Sequence, residues 1–127
     1  MKETIRSVFL RAYLACALWS STEGEEGTPL DEKYSVDDLS SEALAQAAEE
    51  CNDFINSQEA LLLKAVQEPK YSWASAGHDF WLTRNRHGAG FWDRGLPDGI
   101  GEKLSEYAHD AGSRDLYPGD DGILYFT

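Results

Sequence analysis

Apolar residues recur at helical spacing through the first half of the chain. In residues 4–20 they form two stripes, which predicts a helix that is buried on more than one side. Ser35 and Asp38 have the spacing of a capping box, and a break is expected near Ser40-Ser41. A long helix should follow and end near Val66, because apolar and acidic positions then alternate with the helical period. The N-terminal half is therefore predicted to be helical.

Strand patterns are concentrated in the second half. Residues 79–92 predict a β-hairpin, because aromatic and β-favouring residues flank Asn85-Arg86, which can occupy a tight turn. In that hairpin Trp81 would lie over Gly90, and Arg84 would pair with His87. Arg86 would be strained if the turn required it to have positive φ.

A helix and a second hairpin complete the pattern. Residues 100–111 carry apolar side chains at i, i+4, i+7, i+8 and i+11, which predicts a helix closed by Gly112. Residues 115–126 predict the second hairpin around a Pro- and Gly-containing turn. The sum is an α+β fold, in which the helical N-terminal half packs on a small antiparallel sheet of two hairpins with one intervening helix. The length of 127 residues suits a single domain over 1–127.

The charge is strongly acidic and unevenly distributed. The formal net charge is −12, and residues 21–60 hold twelve acidic residues against Lys33 alone. Within this region, residues 20–34 lack periodicity and are expected to form a flexible acidic loop. An acidic surface is repelled by nucleic acid and anionic lipid and is attracted to basic protein surfaces. The expected partner is a host protein with a basic surface, with no direct contact to nucleic acid or membrane.

Four carboxylates mark a candidate partner-binding face along the predicted long helix. Their helical rise separates neighbours by about 6 to 10 Å, so they can imitate the charge of a phosphate backbone. A solvated helix face explains the same residues without any partner. The four residues are Asp38, Glu42, Glu49 and Asp53.

A compact motif lies at residues 77–95, which hold two of the four tryptophans and two of the three histidines. The sequences HDFWLTRN at 78–85 and HGAGFWDRG at 87–95 resemble a motif of small uncharacterised proteins encoded by bacteriophages and prophages. The resemblance implies a mobile-element origin and brings no activity with it. Together with the acidity it suggests, by analogy, a non-enzymatic inhibitor of a host defence or nucleic-acid-handling protein that acts as a DNA mimic.

The same motif contains a basic and aromatic patch, a kind of surface that stacks bases or binds anions. We consider it a possible second contact. Alternatively, its guanidinium groups cover tryptophan faces and pair with Asp79 or Asp93. The patch consists of Trp81, Arg84, Arg86, His87, Trp92 and Arg94.

Two other functional classes stay open. One is a small metal- or histidine-dependent enzyme centred on His78, Asp79, His87 and Asp93. The predicted hairpin would hold its two histidines about 20 Å apart, so no metal ligand, catalytic residue or cofactor is assigned. The other class is a phage structural or assembly component.

The cysteines and the hydropathy suggest the compartment. Cys16 and Cys51 lie in separate predicted helices without metal-ligand spacing, so we expect two buried free thiols in a reducing environment. No apolar run approaches the roughly 18 residues of a membrane span. These features predict a cytoplasmic location, which for a phage-encoded protein is the cytoplasm of the host cell.

Overall fold

The computed structural model describes residues 4–127, and this part of the chain contains four α-helices and two short antiparallel hairpins. The α+β class and the helical N-terminal half are confirmed. The two hairpins form separate two-stranded sheets, not one sheet. The elements are α1 (Ile5–Ser20), β1 (Thr22–Glu23), β2 (Thr28–Pro29), α2 (Ser41–Ala65), α3 (Trp73–Arg84), α4 (Ile100–Asp110), β3 (Leu116–Pro118) and β4 (Leu124–Phe126).

The predicted boundaries of α2 agree with the structure. Ser35 and Asp38 form the expected capping box, which starts a short 3-10 helix ahead of α2. The Ser40 side chain accepts a hydrogen bond from the Ala43 N–H and so caps α2 itself. The helix is interrupted at Gln58, a buried residue with non-helical backbone angles.

Residues 20–34, predicted as a flexible acidic loop, contain two short strands and a 3-10 turn. Strand β1 pairs with β2, with Thr22 opposite Pro29. Leu30 follows in a 3-10 turn and is fully buried in the core. This apolar anchor holds the acidic segment against the helices.

The predicted β-hairpin over residues 79–92 is wrong. Residues 73–84 form α3, and residues 91–93 form a 3-10 turn, so none of the cross-strand pairs exists. The helix starts at a capping box of Ser72 and Ser75, each side chain accepting the other's backbone N–H. Side chains on nearly all sides of α3 are buried, which removes the amphipathic period that a sequence pattern detects.

Aromatic rings join α3 to its neighbours. Phe80 stacks on Phe54 of α2 with ring centroids 4.2 Å apart and on Tyr13 of α1 at 5.4 Å. Phe91 stacks on the Phe54 ring at 5.7 Å. Gly77 permits the close crossing of α1 and α3, because a Cβ at this position would overlap the carbonyl oxygen of Phe9. Helix α3 is thus the centre of the core.

The C-terminal elements match their predictions. Helix α4 buries Ile100, Leu104 and Ala108, and β3 pairs with β4 in the expected antiparallel hairpin. The hairpin is joined to the start of α2 by the Ser40 N–H, which donates to the Leu124 carbonyl. Within the described residues, no helix is long and apolar enough to cross a membrane.

Helix α3 ends in a Schellman motif with arginine at the position that favours glycine. The Arg86 N–H donates to Thr83 O at 3.0 Å, and the His87 N–H donates to Leu82 O at 3.0 Å. Arg86 has φ 57°, in the left-handed region. Arg86 therefore has the positive φ that a tight hairpin turn would have required, but here the residue lies at the end of a helix.

We expect Arg86→Gly to stabilise the protein by about 0.5–1 kcal/mol. Removing Cβ relieves a left-handed conformation that costs roughly 1–2 kcal/mol, and the greater chain entropy of glycine offsets part of the gain. Urea denaturation measures the change. Arg86→Ala is the control, since it removes the same guanidinium but keeps Cβ. An equal gain in both variants would assign the effect to charge.

Candidate acidic face and Arg94 cleft

The carboxylates of α2 divide into outward and inward groups. Glu42, Glu49 and Asp53 are exposed, and none of them forms a salt bridge with another described residue. These three residues are called the acidic face below. Asp38 lies before α2, and its Oδ2 accepts the Ser35 N–H at 2.9 Å. The structure therefore assigns Asp38 to a helix cap.

Glu50, next to the acidic face in sequence, is turned inward. Its Oε1 accepts from Arg84 Nη1 and its Oε2 from Arg114 Nη2, each at 2.8 Å. Burial opposes ionisation of Glu50, but the hydrogen bonds from Arg114 and Arg84 outweigh it and lower the pKa of the carboxyl. This partly buried carboxylate is paired with two arginines. Sequence reasoning missed its pairing, because the two arginines are 34 and 64 residues away.

Arg84 is a structural residue with only 1% of its side chain exposed. Besides Glu50 it donates to Tyr13 Oη at 3.0 Å, Ala111 O at 3.0 Å and Gly112 O at 2.7 Å. It thereby connects α3 with α1, α2 and the end of α4. We call Glu50, Arg84 and Arg114 the Glu50 network.

Only some residues of the basic and aromatic patch, which was predicted as a possible second contact, lie at the surface. Trp81 and Arg84 are buried, so no partner reaches them in this fold. The Trp81 indole N–H donates to Ser20 Oγ at 2.8 Å, and the ring packs edge-on against Tyr13. Their interior position follows from the helix that replaces the predicted hairpin. The exposed or partly exposed members of the patch are Arg86, His87, Trp92 and Arg94.

Asp79 is buried and its carboxylate is saturated. Arg94 donates to it through Nη2 at 2.8 Å and Nε at 3.1 Å, while the Tyr71 hydroxyl donates at 2.8 Å. Burial is the main cause that raises the pKa of Tyr71, and the hydrogen bond to Asp79 raises the pKa of Arg94. Tyr71 stays protonated and Arg94 stays charged. Asp79 thus accepts hydrogen bonds from two side chains and positions Arg94.

The two histidines of the motif line one cleft. His78 lies beside Asp79, with Nδ1 3.6 Å from Oδ1, and it stacks on Trp19 with ring centroids 6.2 Å apart. The expected separation of about 20 Å is wrong because it required the hairpin. The cleft that the two histidines line has a volume of about 600 Å³, and we call it the Arg94 cleft. Its lining side chains include Trp19, His78, Leu82, His87, Ala89 and Arg94.

The histidines, carboxylates and cysteines of the described residues do not cluster as metal ligands, and both cysteines are buried. Among residues 4–127, no group of three or more His, Cys, Asp or Glu side chains is placed to hold a metal ion. Cys16 and Cys51 are buried free thiols, as expected. Burial raises the pKa of Cys16 to about 12, so it is a protonated core residue at neutral pH.

No family model, curated protein or solved structure matches this chain. Function is therefore inferred from the charges and clefts of the molecule itself.

Proposed function

We propose that this is a non-enzymatic interaction protein of phage type, whose acidic face binds a basic surface on a host defence or nucleic-acid-handling protein. The observation that carries the proposal is the contrast between neighbouring carboxylates of α2. Glu50 is neutralised by two arginines, whereas Glu42, Glu49 and Asp53 are exposed without a salt bridge to any described residue.

The placement of the basic residues strengthens the acidic character of the surface. Arg84 is buried, and Arg94 and Arg114 are committed to Asp79 and Glu50. Their positive charges neutralise internal carboxylates instead of the exposed ones. The acidic excess behind the net charge of −12 therefore belongs to the residues outside these networks. Such a surface attracts a basic partner over a distance comparable to the Debye length.

The geometry of α2 supports phosphate mimicry. Glu42, Glu49 and Asp53 are seven and four residues apart, so they follow one face at about 10 and 6 Å in helical rise. The helix is held by its buried side and by the Glu50 network, which fixes the carboxylates relative to one another. A partner that binds the phosphates of DNA offers the complementary array of lysine and arginine.

Charge reversal tests the proposal. We expect the triple variant Glu42→Lys, Glu49→Lys, Asp53→Lys to lose its partner, because like charges opposed across an interface cost several kcal/mol. Immobilised wild-type and variant proteins are incubated with bacterial lysate, and bound proteins are identified by mass spectrometry. The captured protein is then purified and its affinity measured by calorimetry. The expected loss is about 100-fold or more, and duplex DNA should compete with the wild-type protein.

A matched variant controls for net charge. Glu59→Lys, Asp98→Lys, Glu102→Lys makes the same charge change at three exposed positions outside the acidic face. It should keep most of the affinity, and circular dichroism should show that both variants are folded. Equal binding by the wild type and the acidic-face variant would refute the proposal. Equal loss in both triple variants would show that bulk charge, not the α2 array, governs binding.

A further inference from the structure

We infer that the Arg94 cleft is a binding site for a nucleoside monophosphate. This inference is independent of the acidic face and of its partner. The chemistry needed is a planar ring that stacks on an aromatic side chain, joined to an anion that meets nitrogen donors. The cleft brings both features together at one opening.

The aromatic wall is Trp19 at the end of α1. The residue is 58% exposed although its ring stacks on His78. Stacking on one face leaves tryptophan surface for a second planar group, and Leu82 and Ala89 supply further apolar lining. Base stacking on an aromatic residue is tolerant of base identity, because every base has a π-face.

The nitrogen donors are His78, His87 and Arg94. Arg94 is held by Asp79 through Nε and Nη2, and no described residue accepts a hydrogen bond from its Nη1. The guanidinium is therefore oriented before a ligand arrives. The backbone at His87 is fixed by the Schellman motif, since its backbone N–H donates to Leu82 O, and its exposed imidazole lines the opening. Among residues 4–127, no carboxylate side chain lines this opening, although the protein as a whole is strongly acidic.

The volume of the cleft and the screening of the protein's negative charge by salt are compatible with a nucleoside monophosphate. An opening of about 600 Å³ lies within the range of roughly 300–1,000 Å³ that is typical of small-molecule sites. The remote carboxylates of the protein repel a phosphate weakly, because at physiological ionic strength the Debye length is about 8 Å. Asp79 and Asp93 lie 2.8 and 3.7 Å from the Arg94 guanidinium and offset part of its charge. A single phosphate is therefore held mainly by hydrogen bonds from the local donors, whereas a long polyanion would also meet the acidic surface.

The test is calorimetric titration of the full chain with AMP, GMP, CMP and UMP at physiological salt. We expect at least one of them to bind with submillimolar affinity. The matching nucleoside and inorganic phosphate should each bind about tenfold more weakly or not at all. Absence of binding by all four nucleotides at millimolar concentration would overturn the inference. Equal affinity for the uncharged nucleoside would overturn the role of the donors.

Substitutions locate the ligand. Trp19→Ala and His87→Ala change exposed side chains of the cleft and should each weaken binding about fivefold to 100-fold. Tyr107→Ala and His109→Ala remove an exposed aromatic ring and a histidine that lie outside the lining, and both variants should bind as the wild type does. Arg94 is unsuitable for this test because its loss leaves Asp79 buried without its cation. Unchanged affinity in both cleft variants would refute the site even if a nucleotide binds elsewhere.

Discussion

Arg84→Gln is expected to lower the free energy of unfolding by about 3–5 kcal/mol. The substitution removes the forked cation from a position with 1% exposure and leaves several acceptors without their donor. Glu50 would keep only Arg114, and the carbonyls of Ala111 and Gly112 would lose their hydrogen bonds. Urea denaturation followed by circular dichroism measures the loss.

Arg86→Gln provides the matched control. It also removes one positive charge, but from an exposed side chain that lies two residues further along the chain. Its effect should stay within about 0.5 kcal/mol. Arg84→Lys should fall between the two, since lysine keeps the charge but cannot reproduce the planar set of donors. Similar stabilities for Arg84→Gln and Arg86→Gln would show that the Glu50 network contributes little to folding.

Gly77→Ala should destabilise the fold by about 3 kcal/mol or more, above the usual 1–3 kcal/mol of an overpacked core. The added methyl would overlap the backbone carbonyl of Phe9, and a backbone atom cannot move aside by changing rotamer. Helices α1 and α3 would have to separate, which would loosen the packing of Phe80 against Tyr13. The midpoint of thermal unfolding and the urea transition both report the change.

Gly88→Ala is the corresponding control. An added Cβ at Gly88 meets no atom within 4 Å, and this glycine does not have positive φ. We expect the free energy of unfolding of Gly88→Ala to remain within about 0.5 kcal/mol of the wild-type value. If Gly77→Ala were equally harmless, the close crossing of α1 and α3 would be wrong.

The sequence was informative where an element has one buried and one exposed face. Helix α4 and the long helix α2 were predicted because their apolar residues keep the helical period, and Ser35 and Asp38 specified a cap that the structure contains. The C-terminal hairpin was indicated by its turn residues. In these elements local sequence and tertiary packing favour the same structure.

Helix α3 could not be recognised in this way. Phe80, Trp81 and Thr83 favour strands when considered alone, but tertiary packing overrides that weak preference. Because α3 is surrounded by other elements, its polar residues do not mark a solvent face, and Arg84 and Asp79 are themselves buried. The local sign of a helix was the pair Ser72 and Ser75, which is a weaker pattern than a Ser–Glu capping box.

The candidate sites also differ in how far the sequence could predict them. Exposure of Glu42, Glu49 and Asp53 agreed with helical spacing, whereas the pairing of Glu50 depended on distant residues. The Arg94 cleft depends on Trp19, which lies about sixty residues before His78 and was not part of the predicted patch. The distance between Trp19 and His78 along the chain does not indicate that their side chains are in contact, because that depends on the tertiary structure.

Glu49 and Glu50 show how this protein can evolve. One carboxylate maintains the interior through Arg84 and Arg114, and its neighbour contributes no described salt bridge to the fold. Exposed positions tolerate most replacements at a cost within about 0.5 kcal/mol. Mutations at Glu42, Glu49 and Asp53 can therefore accumulate without loss of folding. Under the proposed function, a lineage whose partner changes could alter the acidic face by single substitutions while it retains the same scaffold.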